Sequence, residues 1–184
     1  MASARLFIAL IPPAVVRTEL AALATPLAGV RWTPADNLHV TLRFIGDTAP
    51  ARQAALEDAL ARVRVEPFIL PVGGAGLFPT HGPASVLWAG LGNAHTRLFQ
   101  LRQQVDEALL SVDMTLDVRS FHPHFTLARL DRAHDPKALA RFLERHPAFE
   151  APPFRVSEFH LMASELQAGR PPDYRQARSF RLEK

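Results

Sequence analysis

The sequence predicts a mixed α+β fold, on three observations. Apolar runs of strand length interleave with stretches of helical periodicity, strand-like pairs flank turn-rich segments near the middle and the end, and two strands alternate apolar and polar residues. A strand with period two buries one face only. That favours antiparallel sheet over an all-parallel sheet covered on both sides.

The elements follow in order. Residues 5–10 (RLFIAL) form a short apolar run that Pro12-Pro13 ends, and read as a buried strand. The run is far too short to span a membrane, and no small-residue cleavage site follows it, so neither a secretory signal nor a membrane partner is expected. Pro12-Pro13 then opens a helix, where a first-turn proline is tolerated, with Val15, Val16, Leu20, Leu23 and Leu27 as its apolar face. Residues 37–44 alternate as a strand that Gly46-Asp47 breaks. Residues 50–63, rich in alanine and leucine, read as a helix. Two strands, 67–72 and 85–91, flank a Gly/Pro-rich loop at 73–83. Asn93 is placed to cap a helix faced by Leu98, Leu101, Val105 and Leu109. Residues 120–129 alternate again. Asp135-Pro136 starts a helix carrying Leu139, Phe142 and Leu143. Residues 154–182 read as two strands joined by Gly169-Arg170-Pro171-Pro172.

Composition narrows the function classes. With 184 residues the chain suits one domain, and 48% hydrophobic with 21% charged residues excludes general disorder. There are no cysteines, which removes disulfide frameworks, thiolate metal sites and thiol nucleophiles and is compatible with the cytoplasm, the expected compartment. The net charge of +3 is carried almost wholly by arginine, Lys137 and Lys184 being the lysines. Such a charge permits an anionic substrate without imposing one, and guanidinium groups suit phosphate oxygens.

The chemistry lies in a repeated motif, His39-Val40-Thr41-Leu42 and His124-Phe125-Thr126-Leu127. On a strand, residues i and i+2 share a face, roughly 6.5–7 Å apart. His39 and Thr41 therefore point one way while Leu38, Val40, Leu42 and Phe44 point into a core. The second copy sets His124 and Thr126 opposite Phe125 and Leu127. A lone His-x-Thr-Leu is expected by chance on the order of 0.05 times in such a chain, so two copies in matched strands point to function. Paired strands would bring two imidazoles and two hydroxyls to one cleft. One neutral imidazole can take a proton from water while the other, protonated, gives one to a leaving oxygen, and the hydroxyls can bind phosphate oxygens. Neither a metal nor a cofactor is required.

These residues resemble the signature of the 2H phosphoesterase superfamily, in particular the RNA 2′,3′-cyclic phosphodiesterases once called 2′-5′ RNA ligases. Besides the two motifs, the resemblance rests on residues 5–10, Trp32-Thr33-Pro34, Phe44-Ile45-Gly46, Leu87-Trp88-Ala89-Gly90, Phe121, Pro123, Gly169, Tyr174 and Phe180-Arg181-Leu182. It implies a bilobal, pseudo-twofold arrangement of two antiparallel sheets flanked by helices, one domain over 1–184 made of two intertwined lobes, with the active cleft between them. It also implies roles: His39 as proton donor to the leaving 3′ oxygen, His124 as the base that activates water, and Thr41, Thr126 and Arg129 as phosphate ligands. Sequence symmetry alone does not say which histidine is acid. The implied product is a 2′-phosphomonoester RNA end, with 2′-5′ ligation as the reverse direction.

Strict alternation puts Arg129 on the face opposite His124, reachable only through a twist, a bulge or the strand end, whereas Arg43 shares the His39 face and rivals it for phosphate. His122 and His124 have a spacing that can bind zinc, with His39 or a distant carboxylate as the third ligand, but no acidic residue has a suggestive spacing and zinc leaves the duplicated threonine unexplained. The other histidines (His81, His95, His134, His146 and His160) read as structural or surface groups. Gly73-Gly74-Ala75-Gly76 lacks the Lys-Ser/Thr of a P-loop and reads as a loop of close approach. Phe78 beside it reads as packing, with base stacking as the alternative. Trp32 and Trp88 read as core or lobe-interface residues. The expected partners are RNA ends or nucleotide cyclic phosphates, bound by a monomer. A nucleotide- or RNA-binding module without turnover and a phosphodiesterase for small cyclic nucleotides are the rival functions.

Overall fold

A computed structural model describes residues 4–116, 120–147, 149–165 and 172–184. The first strand, β1 (Ala4–Leu10), is apolar on both faces because both are covered. Leu6, Ile8 and Leu10 join the main core, while Phe7 and Ala9 pack with Met162 on the other side. Helix α1 (Ala14–Ala22) buries Val16 and Leu20, but Val15 is 56% exposed. After β2 (Val30–Trp32), a 3₁₀ turn at Ala35–Asn37 precedes β3 (Val40–Thr48). The strand thus starts after His39, later than the alternation predicts, and it does not end at Gly46-Asp47. Gly46, at φ +90°, absorbs a register shift and lets β3 continue to Thr48 opposite Ala4.

Helix α2 (Pro50–Leu60) is followed by β4 (Phe68–Gly73), β5 (Ala75–Phe78) and β6 (Val86–Gly90). The predicted loop at 73–83 therefore contains a strand. A Cβ on Gly76 would lie 2.2 Å from Trp88 Cζ2, so the glycine is there to let the indole cover the backbone. Helix α3 (Thr96–Leu110) is capped by His95, whose Nδ1 accepts from Arg97 N, and not by Asn93. Strand β7 (His124–Leu130) carries the second motif, and α4 (Pro136–Arg145) is capped by Asp135 as its sequence predicts. The tail holds three strands instead of two: β8 (Glu150–Val156), β9 (Glu158–Glu165) and β10 (Asp173–Arg181). Two prolines obscure β8, which tolerates them as one member of a two-stranded sheet. Gly169, Arg170 and Pro171 of the predicted connection lie outside the described residues.

The architecture is α+β. The large sheet runs β10-β9-β1-β3-β7-β6-β5, with β2 added to β7, and β4 and β8 form a small second sheet. The two motif strands are the seam. They pair antiparallel with Val40 opposite Phe125, and the sheet extends from them in opposite directions. Among the described residues, all four α-helices and the small sheet place side chains in one core with Val40, Leu42, Phe125 and Leu127. This leaves the opposite face of the seam to His39, Thr41, His124 and Thr126. Among the described residues no helix is long and apolar enough to cross a membrane.

Candidate active site

Antiparallel register about the Val40–Phe125 pair sets His39 across from Thr126 and Thr41 across from His124, a local twofold arrangement. Each histidine is held alike. His39 Nδ1 donates to Asn37 O at 2.6 Å, and His124 Nδ1 donates to His122 O at 2.6 Å. A carbonyl can only accept, so Nδ1 carries the hydrogen and Nε2 presents its lone pair to the cleft. Thr41 Oγ1 lies 3.1 Å from His39 Nε2, and Thr126 Oγ1 lies 3.4 Å from His124 Nε2. The anchoring carbonyls are themselves fixed. Asn37 closes the 3₁₀ turn and its Nδ2 donates to Pro172 O at 2.9 Å, while Pro123 restricts His122 to extended backbone.

A cavity of about 300 Å³ opens on this face, lined among others by His39, Thr41, Thr126, Arg129, Phe44 and Tyr174. Two register shifts decide which side chains reach it. Between β6 and β7, Leu87 pairs Ala128 and Trp88 pairs Thr126, so Leu127 is an extra residue. The alternation flips there: Leu127 and Ala128 are both buried, and Arg129 emerges on the Thr126 face. Strict parity had put it on the other side. The same device operates in the first motif. Ile8 pairs Arg43 and Ala9 pairs Thr41, leaving Leu42 extra. Arg43 therefore turns away from the cleft. Its side chain is 9% exposed and paired with Asp106 of α3, Nε to Oδ1 at 2.8 Å. Phe44, expected in the core, is 66% exposed and lines the cavity. The backbone twofold thus presents an arginine on one side and an aromatic ring on the other.

The site also includes residues that carried no role in the sequence reading. Phe7 lies under the His39 ring with centroids 5.0 Å apart, and Tyr174 meets His39 edge-on at 5.3 Å. The pairing of β1 with β3 and of β9 with β10 puts them there, and no local pattern encodes it. Four of the other histidines have other tasks: His95 caps α3, His134 Nδ1 donates to Asp131 O, His146 packs on Phe142, and His160 bonds Ser179. Trp32 packs on Phe142 and its indole N–H donates to Thr25 O at 2.7 Å. Among the described residues no group of three or more His, Asp or Glu side chains is arranged to hold a metal ion.

Burial pushes the His39 pKa down, and the positive charges of His124 and Arg129 push it further, against a raising contribution from the Asn37 carbonyl. Burial likewise lowers His124, the His122 carbonyl opposing and the His122 imidazole adding to it. Burial raises Tyr174, with Arg129 pulling the other way. The arrangement therefore disfavours two imidazolium ions together, and Arg129 beside them favours an anion.

Two facing histidine–threonine pairs lie on an antiparallel seam with an arginine beside them, an arrangement whose chemistry suits phosphoester hydrolysis by a two-histidine phosphoesterase. The sequence model of the LigT-like phosphoesterase family matches residues 11–88 and 91–172. An RNA 2′,3′-cyclic phosphodiesterase of Escherichia coli K12 is 31% identical over 176 residues, covering 90% of each chain. The protein of that name from Aeropyrum pernix is 34% identical over 131 residues, 71% of this chain and 74% of its own. The solved E. coli LigT superposes with a TM-score of 0.78 at 27% identity over all of both chains, and has also been solved with 3′-AMP, ATP and NADP+. This chain belongs to the LigT-like phosphoesterase family.

Proposed function

We propose that this protein hydrolyses the 2′,3′-cyclic phosphate ends of RNA to 2′-phosphomonoesters. The observation that carries this reading is the mirrored pair of imidazoles, each with Nε2 beside a threonine hydroxyl, both threonines lining one cavity. The substrate class is supported by the relatives named for it and by the nucleotides that LigT holds.

The groups present suffice for each step. His124 Nε2 takes a proton from water as the water oxygen attacks phosphorus. The P–O3′ bond breaks, and His39 Nε2, protonated, gives its proton to the leaving 3′ oxygen. Thr41, Thr126 and Arg129 bind the non-bridging oxygens and stabilise the charge that builds on them. Burial lowers the His39 pKa, and the negative charge of a phosphodiester beside it favours the imidazolium form that the step uses. No step calls for a metal. The same reading makes the chain a single-domain monomer, since both pairs come from one chain, and an RNA substrate together with a cysteine-free sequence fits the cytoplasm.

The test is turnover by variants. His39→Ala and His124→Ala should each lose nearly all hydrolysis, and Thr41→Ala and Thr126→Ala should lose about tenfold each for one hydrogen bond to a charged oxygen. A double histidine variant as active as wild type would refute the enzyme reading. Wild type that binds cyclic-phosphate RNA without turning it over would make the cleft a binding module. Turnover confined to small cyclic nucleotides would move the substrate class.

A further inference from the structure

The cavity over the histidine–threonine pairs has two unlike ends. From the Val40–Phe125 pair, β3 runs through Thr41 to Phe44, and β7 runs the opposite way through Thr126 to Arg129. One end is therefore aromatic and the other cationic, and both line the same space of about 300 Å³. Register orders the groups between them. Thr41 and His124 lie toward Phe44, and His39 and Thr126 lie toward Arg129.

Strand β2 adds a second arginine to the cationic end. Arg31 pairs directly with Arg129 and lines the cavity with it. Directly opposed residues have Cβ atoms roughly 4.5–5.5 Å apart, and like charges placed there repel. Asp131 answers part of that charge, with Oδ1 3.0 Å from Arg31 Nη2. Both of these side chains are largely exposed, so their contact is worth little. It also occupies one nitrogen of a fork that has five N–H donors. Arg129 has no carboxylate partner among the described residues. A cyclic phosphodiester carries a single negative charge, which Arg129 answers. Arg31 is matched to a second anion.

The ribose says where a second anion would lie. In a nucleoside 2′,3′-cyclic phosphate the base leaves C1′, on the O2′ side, and the 5′ arm leaves C4′, on the O3′ side. With O3′ at His39, the 5′ arm runs to the Arg129–Arg31 end and the base to the Phe44 end. We infer that Arg31 is a specificity residue that binds the phosphodiester on the 5′ side of the terminal nucleotide. This rests on the cyclic-phosphate reading above, with His39 as the group that meets O3′. A planar guanidinium can give two parallel hydrogen bonds to a pair of phosphate oxygens, and the charge of the next phosphate along an RNA chain relieves the cross-strand repulsion. The site thereby selects the end of an RNA chain over a free nucleoside cyclic phosphate, which has no 5′ phosphate to offer.

The experiment compares two dinucleotides that end in a 2′,3′-cyclic phosphate, one with its natural phosphodiester and one with an uncharged methylphosphonate in that place. The bases and the reacting group are the same, so the ratio of the two kcat/KM values reads the second charge. Wild type should prefer the natural linkage about fivefold at low salt, the upper range for an exposed ion pair, and less in 1 M salt. In Arg31→Met the ratio should fall to about one, and Arg31→Lys, which keeps the charge without the fork, should lie between. Arg62→Met removes the same charge from an exposed position beyond α2 and should keep the wild-type ratio. A wild-type ratio near one, an unchanged ratio in Arg31→Met, or an equal fall in Arg62→Met would overturn the subsite and leave hydrolysis of the cyclic phosphate standing. Absence of turnover of either dinucleotide by wild type would overturn the cyclic-phosphate reading, and the subsite with it.

Discussion

Arg129 and Arg43 offer a direct test of the two extra residues in the motif strands. By strict alternation Arg43 shares the His39 face and Arg129 does not, whereas the shifts at Leu42 and Leu127 exchange them. Consider Arg129→Met, which keeps the aliphatic stem and removes the charge. Hydrogen bonds to charged groups are worth about 1.5–3 kcal/mol, so kcat/KM for cyclic-phosphate RNA should fall about 10- to 150-fold. A second readout needs no substrate. Arg129 is one of the charges holding His39 down, so its removal should raise the His39 pKa toward the ordinary histidine value, seen by NMR titration of the ring protons. In Arg43→Met the expectations reverse. Activity at a temperature where the protein is folded should hold within about twofold. Stability should drop by about 1.5–3 kcal/mol, because Asp106 loses one buried guanidinium and keeps Arg102. If Arg129→Met left both kcat/KM and the His39 titration unchanged, or if Arg43→Met abolished turnover in a folded protein, the placement of these two side chains would be refuted.

Further expectations follow from the same geometry. If His39 is the acid, His39→Ala should recover most of its lost rate on a cyclic phosphodiester whose leaving group is a good anion, while His124→Ala should not; the opposite pattern would exchange the two roles. The kcat/KM profile should be bell-shaped with its optimum on the acid side of neutrality, since His39 and His124 are both lowered in the free protein, and a flat profile from pH 5 to 9 would contradict it when chemistry limits the rate. His39, His124 and His160 are all held below the ordinary value, so in the window between folded and unfolded pKa values the unfolded chain binds more protons. Stability should therefore fall as pH drops below about 6.5, by up to about 1.4 kcal/mol per pH unit for each group, and denaturant titrations from pH 7 to 5 check the sign. Gly29 has φ +72°, and a Cβ there would lie 2.6 Å from His134 Cα, so Gly29→Ala should lower Tm by several degrees, whereas a Tm within one degree of wild type would contradict the contact.

What the sequence made legible were features that repeat or alternate. The histidine–threonine pairs, the seam strands and the helix faces at Leu98, Leu101, Val105 and Leu109 follow from periodicity alone. Arg129 left a trace, because Leu127-Ala128 breaks the alternation where the extra residue sits. Phe44 left none. Leu42-Arg43-Phe44 continues a regular pattern, and only the pairing of β3 with β1 shows that Phe44 turns out and Arg43 turns in. Phe7 and Tyr174 reach His39 through strand order, which depends on contacts between distant segments. β5 was hidden because its glycine serves packing against Trp88, while glycine-rich composition otherwise signals a loop.

The most direct measurement is the identity of the phosphate formed from an RNA oligonucleotide ending in a 2′,3′-cyclic phosphate, incubated with the purified protein in excess EDTA. The mechanism predicts a 2′-phosphate end from wild type and none from His124→Ala. A 3′-phosphate end, or activity that EDTA abolishes, would contradict it.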